Sequence, residues 1–273
     1  MGDVFEESLF NKQPRQFNEI DVRARAFAAN YCGNTIIRDS IFQVVTNYAR
    51  KRELSVEILR YPFKDEELWA FTFVKKRTLF LCVNSELSMC KQFFAAAYEL
   101  YHIHCYAEDI EPGIITSGSL LESKTVDDRA MSQEDLEANA FAGLLLMPDN
   151  MLDEQIKMYG ITGEMISVDD ILTLMELFAL PFKAVVLRLA ENHNITAAKA
   201  QNLLKTDASF VSERMKLTGK ALGWQQNSKE LVHFGTLLDD MKNNRDKELL
   251  TDSREESDRE YLEKIRKGFW NEY

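Results

Sequence analysis

The sequence predicts an α+β fold, on three observations. Three short segments rich in β-branched and aromatic residues lie close together at 55–61, 68–74 and 77–83, separated by charged turns. A segment from Ser88 to Tyr106 follows them, rich in Ala, Leu and Phe and free of Gly and Pro. Beyond residue 132 the apolar residues recur at helical rather than strand spacing.

Taken in order, residues 1–20 are polar and read as a loose arm, with helical periodicity beginning near Asp21 (Val22, Ala26, Ala29). Ile37, Ile41, Val44, Val45 and Tyr48 form a helical stripe within 36–52. The period then changes to that of strands, and the three segments predict a small, mostly antiparallel three-strand sheet. The segment 88–106 is the next helix. From Ala107 to about Ser132 the chain carries Pro112, Gly113 and Gly118 and reads as a loop. Ser132 then stands as a helix cap, with acids in the first turn and Pro148 as the stop. Two further helices are expected near 168–179 and 181–192, the second opened by Pro181. From Thr196 onward the reading is of helices with polar breaks. Leu231, Phe234, Leu237, Leu238 and Met241 fall on one helical face, suited to core packing or to a partner's groove.

Charge and cysteines narrow the function classes. With 33 Lys+Arg against 44 Asp+Glu, the net charge is −11. A protein that neutralises phosphates needs a basic face, so this balance argues against direct nucleic-acid binding. Residues 107–137 hold nine acids and two bases, which reads as a solvated loop or as the neighbour of a cation or basic partner. The pair of helices at 168–192 has helix-turn-helix proportions, but its acids Asp169, Asp170, Glu176 and Glu191 outnumber Lys183 and Arg188. Cys32, Cys82, Cys90 and Cys105 contain no C-x-x-C pair and read as reduced thiols. The N-terminus has no apolar signal region, and the longest apolar run, Ala140–Pro148, is far short of the roughly 20 residues that span a bilayer. A cytoplasmic protein with no membrane contact is expected.

The chemistry-bearing constellation lies in the helix at 88–106, as Tyr98-Glu99-Leu100-Tyr101-His102. Positions 98 and 102 are one turn apart on one face, with Glu99 beside them. This is the spacing of H-E-x-x-H, in which two histidines bind zinc and the glutamate is general base toward a metal-bound water. Here Tyr98 replaces the first histidine. Alone, E-x-x-H arises readily by chance. Its company is more specific: Glu137-Ala-Asn-Ala-Phe-Ala-Gly-Leu-Leu-Leu-Met-Pro148 about 30 residues later, then Phe178-Ala-Leu-Pro-Phe-Lys-Ala-Val-Val-Leu-Arg-Leu189.

This series resembles the ImmA/IrrE family of zinc metallopeptidases, whose pattern is close to F-x-x-A-H-E-L-G-H followed by E-A-N-x-F-A-x-x-L-L-M-P. The resemblance covers about residues 36–195. It implies a zincin-like domain there, after an N-terminal arm and helix at 1–35 and before a helical C-terminal extension at 196–273. It places His102 at the second zinc ligand, Glu99 at the general base, and Glu137 at the third ligand, with Glu134 one turn earlier as the alternative. Tyr98 takes the first-ligand place and departs from the pattern, as does Tyr101 where the family has Gly.

A catalytic zinc wants three protein ligands and one open position. A phenol must lose its proton to bind metal well, and few do so near neutral pH. The expectation is therefore no cofactor or weakly bound zinc. Cys105, three residues beyond His102 on its face, is a conceivable substitute ligand, whereas His104 points away. The Tyr98 phenol could instead donate to Glu99 or Glu137. Two functions follow from the resemblance. One is a non-hydrolytic regulatory protein that binds a protein partner, such as a helix-turn-helix repressor or another mobile-element protein. The other is an active zinc endopeptidase with an unusual metal shell that cuts such a repressor. The family's setting implies a prokaryotic, often phage-derived context for either.

Overall fold

The apolar periodicities sort the chain into a small sheet and a larger body of helices that share one core. The computed structural model describes residues 5–33, 35–63, 68–75, 78–106, 132–227 and 232–267. Helices α1 (Leu9–Lys12), α2 (Pro14–Tyr31) and α3 (Ile41–Lys51) precede strands β1 (Ser55–Tyr61), β2 (Ala70–Lys75) and β3 (Thr78–Asn84). Helix α4 (Met89–Tyr106) carries the motif, and α5 (Gln133–Leu146), α6 (Asp149–Met158), α7 (Val168–Phe178), α8 (Phe182–Glu191), α9 (Ala197–Leu204), α10 (Ala208–Thr218) and α11 (Leu222–Gln225) follow. The chain then forms strand β4 (His233–Phe234), α12 (Leu237–Asp246) and α13 (Asp252–Lys267). The α+β class is as the sequence predicts.

Among the described residues the sheet has four strands in the order β2-β3-β1-β4. Two of its three pairings are antiparallel, but β1 and β3 run parallel, Ser55 opposite Thr78 through Tyr61 opposite Asn84. The hairpin β2–β3 folds back so that its second strand, not its first, lies beside β1. Leu79, Leu81 and Val83 alternate toward the core and α4 packs on that side. Asn84, fully buried at the end of β3, fixes the neighbouring loops: its Oδ1 accepts from the backbone N–H of Phe63 and of Glu86, both at 3.0 Å, and its Nδ2 donates to the Leu68 carbonyl at 3.1 Å.

Two expectations need correction. Residues 9–20 are not a loose arm. Phe17, Ile20, Ala24 and Phe27 form one buried stripe of α2, and that stripe packs on α5. Nor do Phe234 and Met241 share one helix. Phe234 pairs with Leu59 in the sheet, a turn at Gly235 follows, and α12 starts only at Leu237. Gly235 has φ of 59°, and a Cβ there would meet the Glu57 carboxylate. The left-handed φ favours glycine there, and any larger residue would also have to displace the Glu57 carboxylate. Leu231 and nearly all of the acidic 107–137 stretch (107–131) lie outside the described residues.

Helix α5 is apolar on almost every side, because it is sandwiched between α2 and α4 and also touches α8. At its end, Arg188 of α8 is buried at 2 % exposure. Its guanidinium donates to the Met147 carbonyl at 3.2 Å, to Asp149 Oδ1 at 2.5 Å and to Glu191 Oε2 at 2.7 Å. Asp149 also accepts from Arg25 of α2 at 2.9 Å. Arg188 thus ties α8 to the α5–α6 junction and is turned away from any solvent face of the 168–192 pair. Burial pushes the Glu191 carboxyl up from its ordinary value, against the pull of Arg188.

Candidate active site

The motif face of α4 meets the first turns of α5. Ser132 caps α5 as the sequence implies, its Oγ accepting from the Asp135 N–H at 3.1 Å. This start sets Glu134, Asp135 and Glu137 against α4, and three side-chain pairs result. The Tyr98 hydroxyl donates to Asp135 Oδ1. The Tyr101 hydroxyl donates to Glu137 Oε2 at 2.5 Å. The Nδ1 of His102 is hydrogen-bonded to Glu134 Oε1 at 2.8 Å. The aromatic rings are also in contact, Tyr98 and Tyr101 each meeting His102 edge-on at 5.0 and 5.9 Å between centroids.

Each predicted residue therefore has a defined place. His102 and Glu99 are buried, at 5 % and 3 % exposure. The charge of Glu99 acts on Tyr98 and on the Cys82 thiol of β3. Glu137 and Glu134 both face α4, and they serve different partners. Glu137 is shared further: its Oε1 accepts from Gln16 of α2 at 3.0 Å and from Gln133 at 2.9 Å. The Tyr98 phenol is directed to Asp135, not to Glu99 or Glu137. Cys105 lies beside Tyr101, which bonds it, and burial pushes its thiol up. His104 points elsewhere, its Nδ1 3.0 Å from the Tyr48 hydroxyl and its ring against Phe27.

The electrostatics favour neutral phenols. Burial raises the Tyr98 phenol well above the ordinary tyrosine range, and the hydrogen bond to Asp135 adds to this. Burial and the bond to Glu137 raise Tyr101 in the same way. Sequence reasoning missed Asp135, Gln16 and the hold of Tyr101 on Glu137. The only signal for Asp135 was its third place after the Ser132 cap, where an acid reads as part of the cap.

The donor set as arranged does not match a catalytic zinc ion. The proton of Tyr98 is held against Asp135, and Glu137 already accepts three hydrogen bonds across its two oxygens. Among the described residues no three His, Cys, Asp or Glu side chains are grouped to hold a metal. His102 is the exception in the set. A carboxylate on Nδ1 is what orients a metal-binding histidine, and here Glu134 supplies it while Nε2 lies outside the three pairs.

No helix among the described residues is long and apolar enough to cross a membrane. No curated protein matches the chain. The family model of the IrrE N-terminal-like domain, Peptidase M78, matches residues 51–190, from the end of α3 through α8. That span is just over half of the chain and holds strands β1, β2 and β3, the motif helix α4 and the α5 helix that meets it, so the protein belongs to this IrrE N-terminal-like family.

Proposed function

We propose that this protein keeps the family's domain as a binding module for a protein partner and does not hydrolyse peptide bonds. The observation that carries the reading is Tyr98, in the place of the first zinc-binding histidine, with its hydroxyl committed to Asp135. A general base at Glu99 has no function in hydrolysis without an activated water, and the arrangement of Tyr98 and Glu137 leaves too few ligands to activate one. Fold likeness alone does not confer the reaction. The partner class that the family resemblance suggests is a helix-turn-helix repressor or another mobile-element protein. The net charge of −11 suits a partner with a basic surface.

A second reading has one observation in its favour. His102 is oriented by Glu134 as a zinc-binding histidine is oriented, beside the buried Glu99. On that reading the protein is a zinc endopeptidase with an unusual metal shell.

The test is incubation of the purified full chain with helix-turn-helix repressors encoded near its own gene, with and without added zinc chloride. Size-exclusion chromatography reads complex formation and intact mass spectrometry reads cleavage. The proposal expects a complex with an intact repressor under both conditions. Zinc-dependent cleavage that is lost in Glu99→Gln would replace it with the endopeptidase reading.

A further inference from the structure

Loss of the first histidine is the visible defect of the motif, yet the structure points to a second, separate one. Glu137, the acid at the third-ligand place, has Oε2 engaged by the Tyr101 hydroxyl at 2.5 Å and Oε1 by Gln16 and Gln133. Tyr101 itself is held firmly. It is 1 % exposed, and its ring packs on Phe141 of α5 at 5.4 Å between centroids. This packing holds the hydroxyl oxygen beside Glu137. The three pairs, Tyr98–Asp135, Tyr101–Glu137 and His102–Glu134, join successive positions of one α4 face to the first turns of α5.

We propose that Tyr101 is a positioning residue that sequesters Glu137, and that it completes a metal-free clasp between α4 and α5 in the place where a zinc ion would join them. This rests on the non-hydrolytic reading above and deepens it. The clasp carries out the mechanical part of a metal's task, holding two helices in register, with neutral phenols donating to carboxylates and no ion. It follows that the two departures from the family pattern act separately. Tyr98 denies a metal its first ligand, and Tyr101 denies it the third.

The experiment compares zinc binding by the full chain and by three variants: Tyr98→His, Tyr101→Phe, and the two together. Phenylalanine keeps the buried ring against Phe141 and removes only the hydroxyl, so the core stays filled. Each protein is stripped with chelator, checked by circular dichroism and thermal melting, and titrated with zinc chloride by calorimetry. The expected result is one site in the double variant, bound at least about tenfold more tightly than in Tyr98→His alone. Glu137→Gln in the double background is expected to abolish that site. The parent chain and Tyr101→Phe are expected to show none. Equal affinity in Tyr98→His and the double variant would overturn the role given to Tyr101 and leave the non-hydrolytic reading standing. A folded double variant that binds no zinc would overturn the sequestration of Glu137 as the cause. A stoichiometric site in the parent chain would overturn both readings at once.

Discussion

At the scale of single residues, Arg188 and the two motif tyrosines show how a sequence position acquires its meaning from burial. Arg188 carries a full charge at 2 % exposure and is neutralised from two sides by Asp149 and Glu191. Removing Arg188 leaves the Glu191 carboxylate buried without that partner, whereas Asp149 keeps Arg25. Arg188→Leu is predicted to cost about 3–5 kcal/mol of stability, readable as a lower urea midpoint. Truncating a surface pair such as Arg254–Asp258 is predicted to cost less than about 1 kcal/mol. Tyr98 and Tyr101 illustrate the converse. Each stands in the sequence only as a departure from the family pattern, and each becomes specific through one carboxylate on another helix.

At the scale of elements, the edge strand β2 carries an uncompensated feature. Thr72 is 4 % exposed and, among the described residues, its Oγ1 has no hydrogen-bond partner. A buried hydroxyl without a partner is costly, and valine has the same shape without it. Thr72→Val is predicted to raise stability by about 1 kcal/mol, measured by denaturant unfolding. The elements themselves were legible in the sequence to different degrees. Helix α4 and the segments that became β1, β2 and β3 announced themselves by length and period. The stripe Phe17, Ile20, Ala24, Phe27 of α2 did not stand out, because it is only four residues wide among polar neighbours. It is narrow because α2 buries one side, chiefly against α5. Strand β4 has two residues, too few for any alternation to show. The parallel pairing of β1 with β3 depends on which strand of a hairpin reaches its neighbour, and that choice is made by tertiary packing. The candidate site divides in the same way. His102 and Glu99 could be named from the spacing of the motif, and Glu137 and Glu134 from the family resemblance. The pairing of Tyr98 with Asp135 and of Tyr101 with Glu137 joins residues 37 and 36 positions apart, and no local period encodes which α5 acid meets which α4 donor.

At the scale of the whole molecule, burial sets a pH limit. Burial pushes the Cys32 and Cys82 thiols up to about 12, and raises Cys90 and the Tyr61 phenol as well. Between the ordinary thiol value of 9.0 and about 12, the unfolded chain releases these protons while the folded chain keeps them. The unfolded state then binds fewer protons, so stability falls as pH rises through that window. The urea midpoint is predicted to be lower at pH 10 than at pH 7.5. The same burial predicts that Cys32 and Cys82 resist alkylation by iodoacetamide at pH 8 in the folded protein and react once it is unfolded, as mass spectrometry would show.

The most direct test of the central claim is the metal content of the tag-free full chain, purified without chelator, together with its melting temperature before and after chelator treatment. A clasp made of Tyr98–Asp135, Tyr101–Glu137 and His102–Glu134 predicts substoichiometric zinc and an unchanged melting temperature. About one zinc per chain, lost in His102→Ala and removed by chelator with a fall in melting temperature, would contradict it.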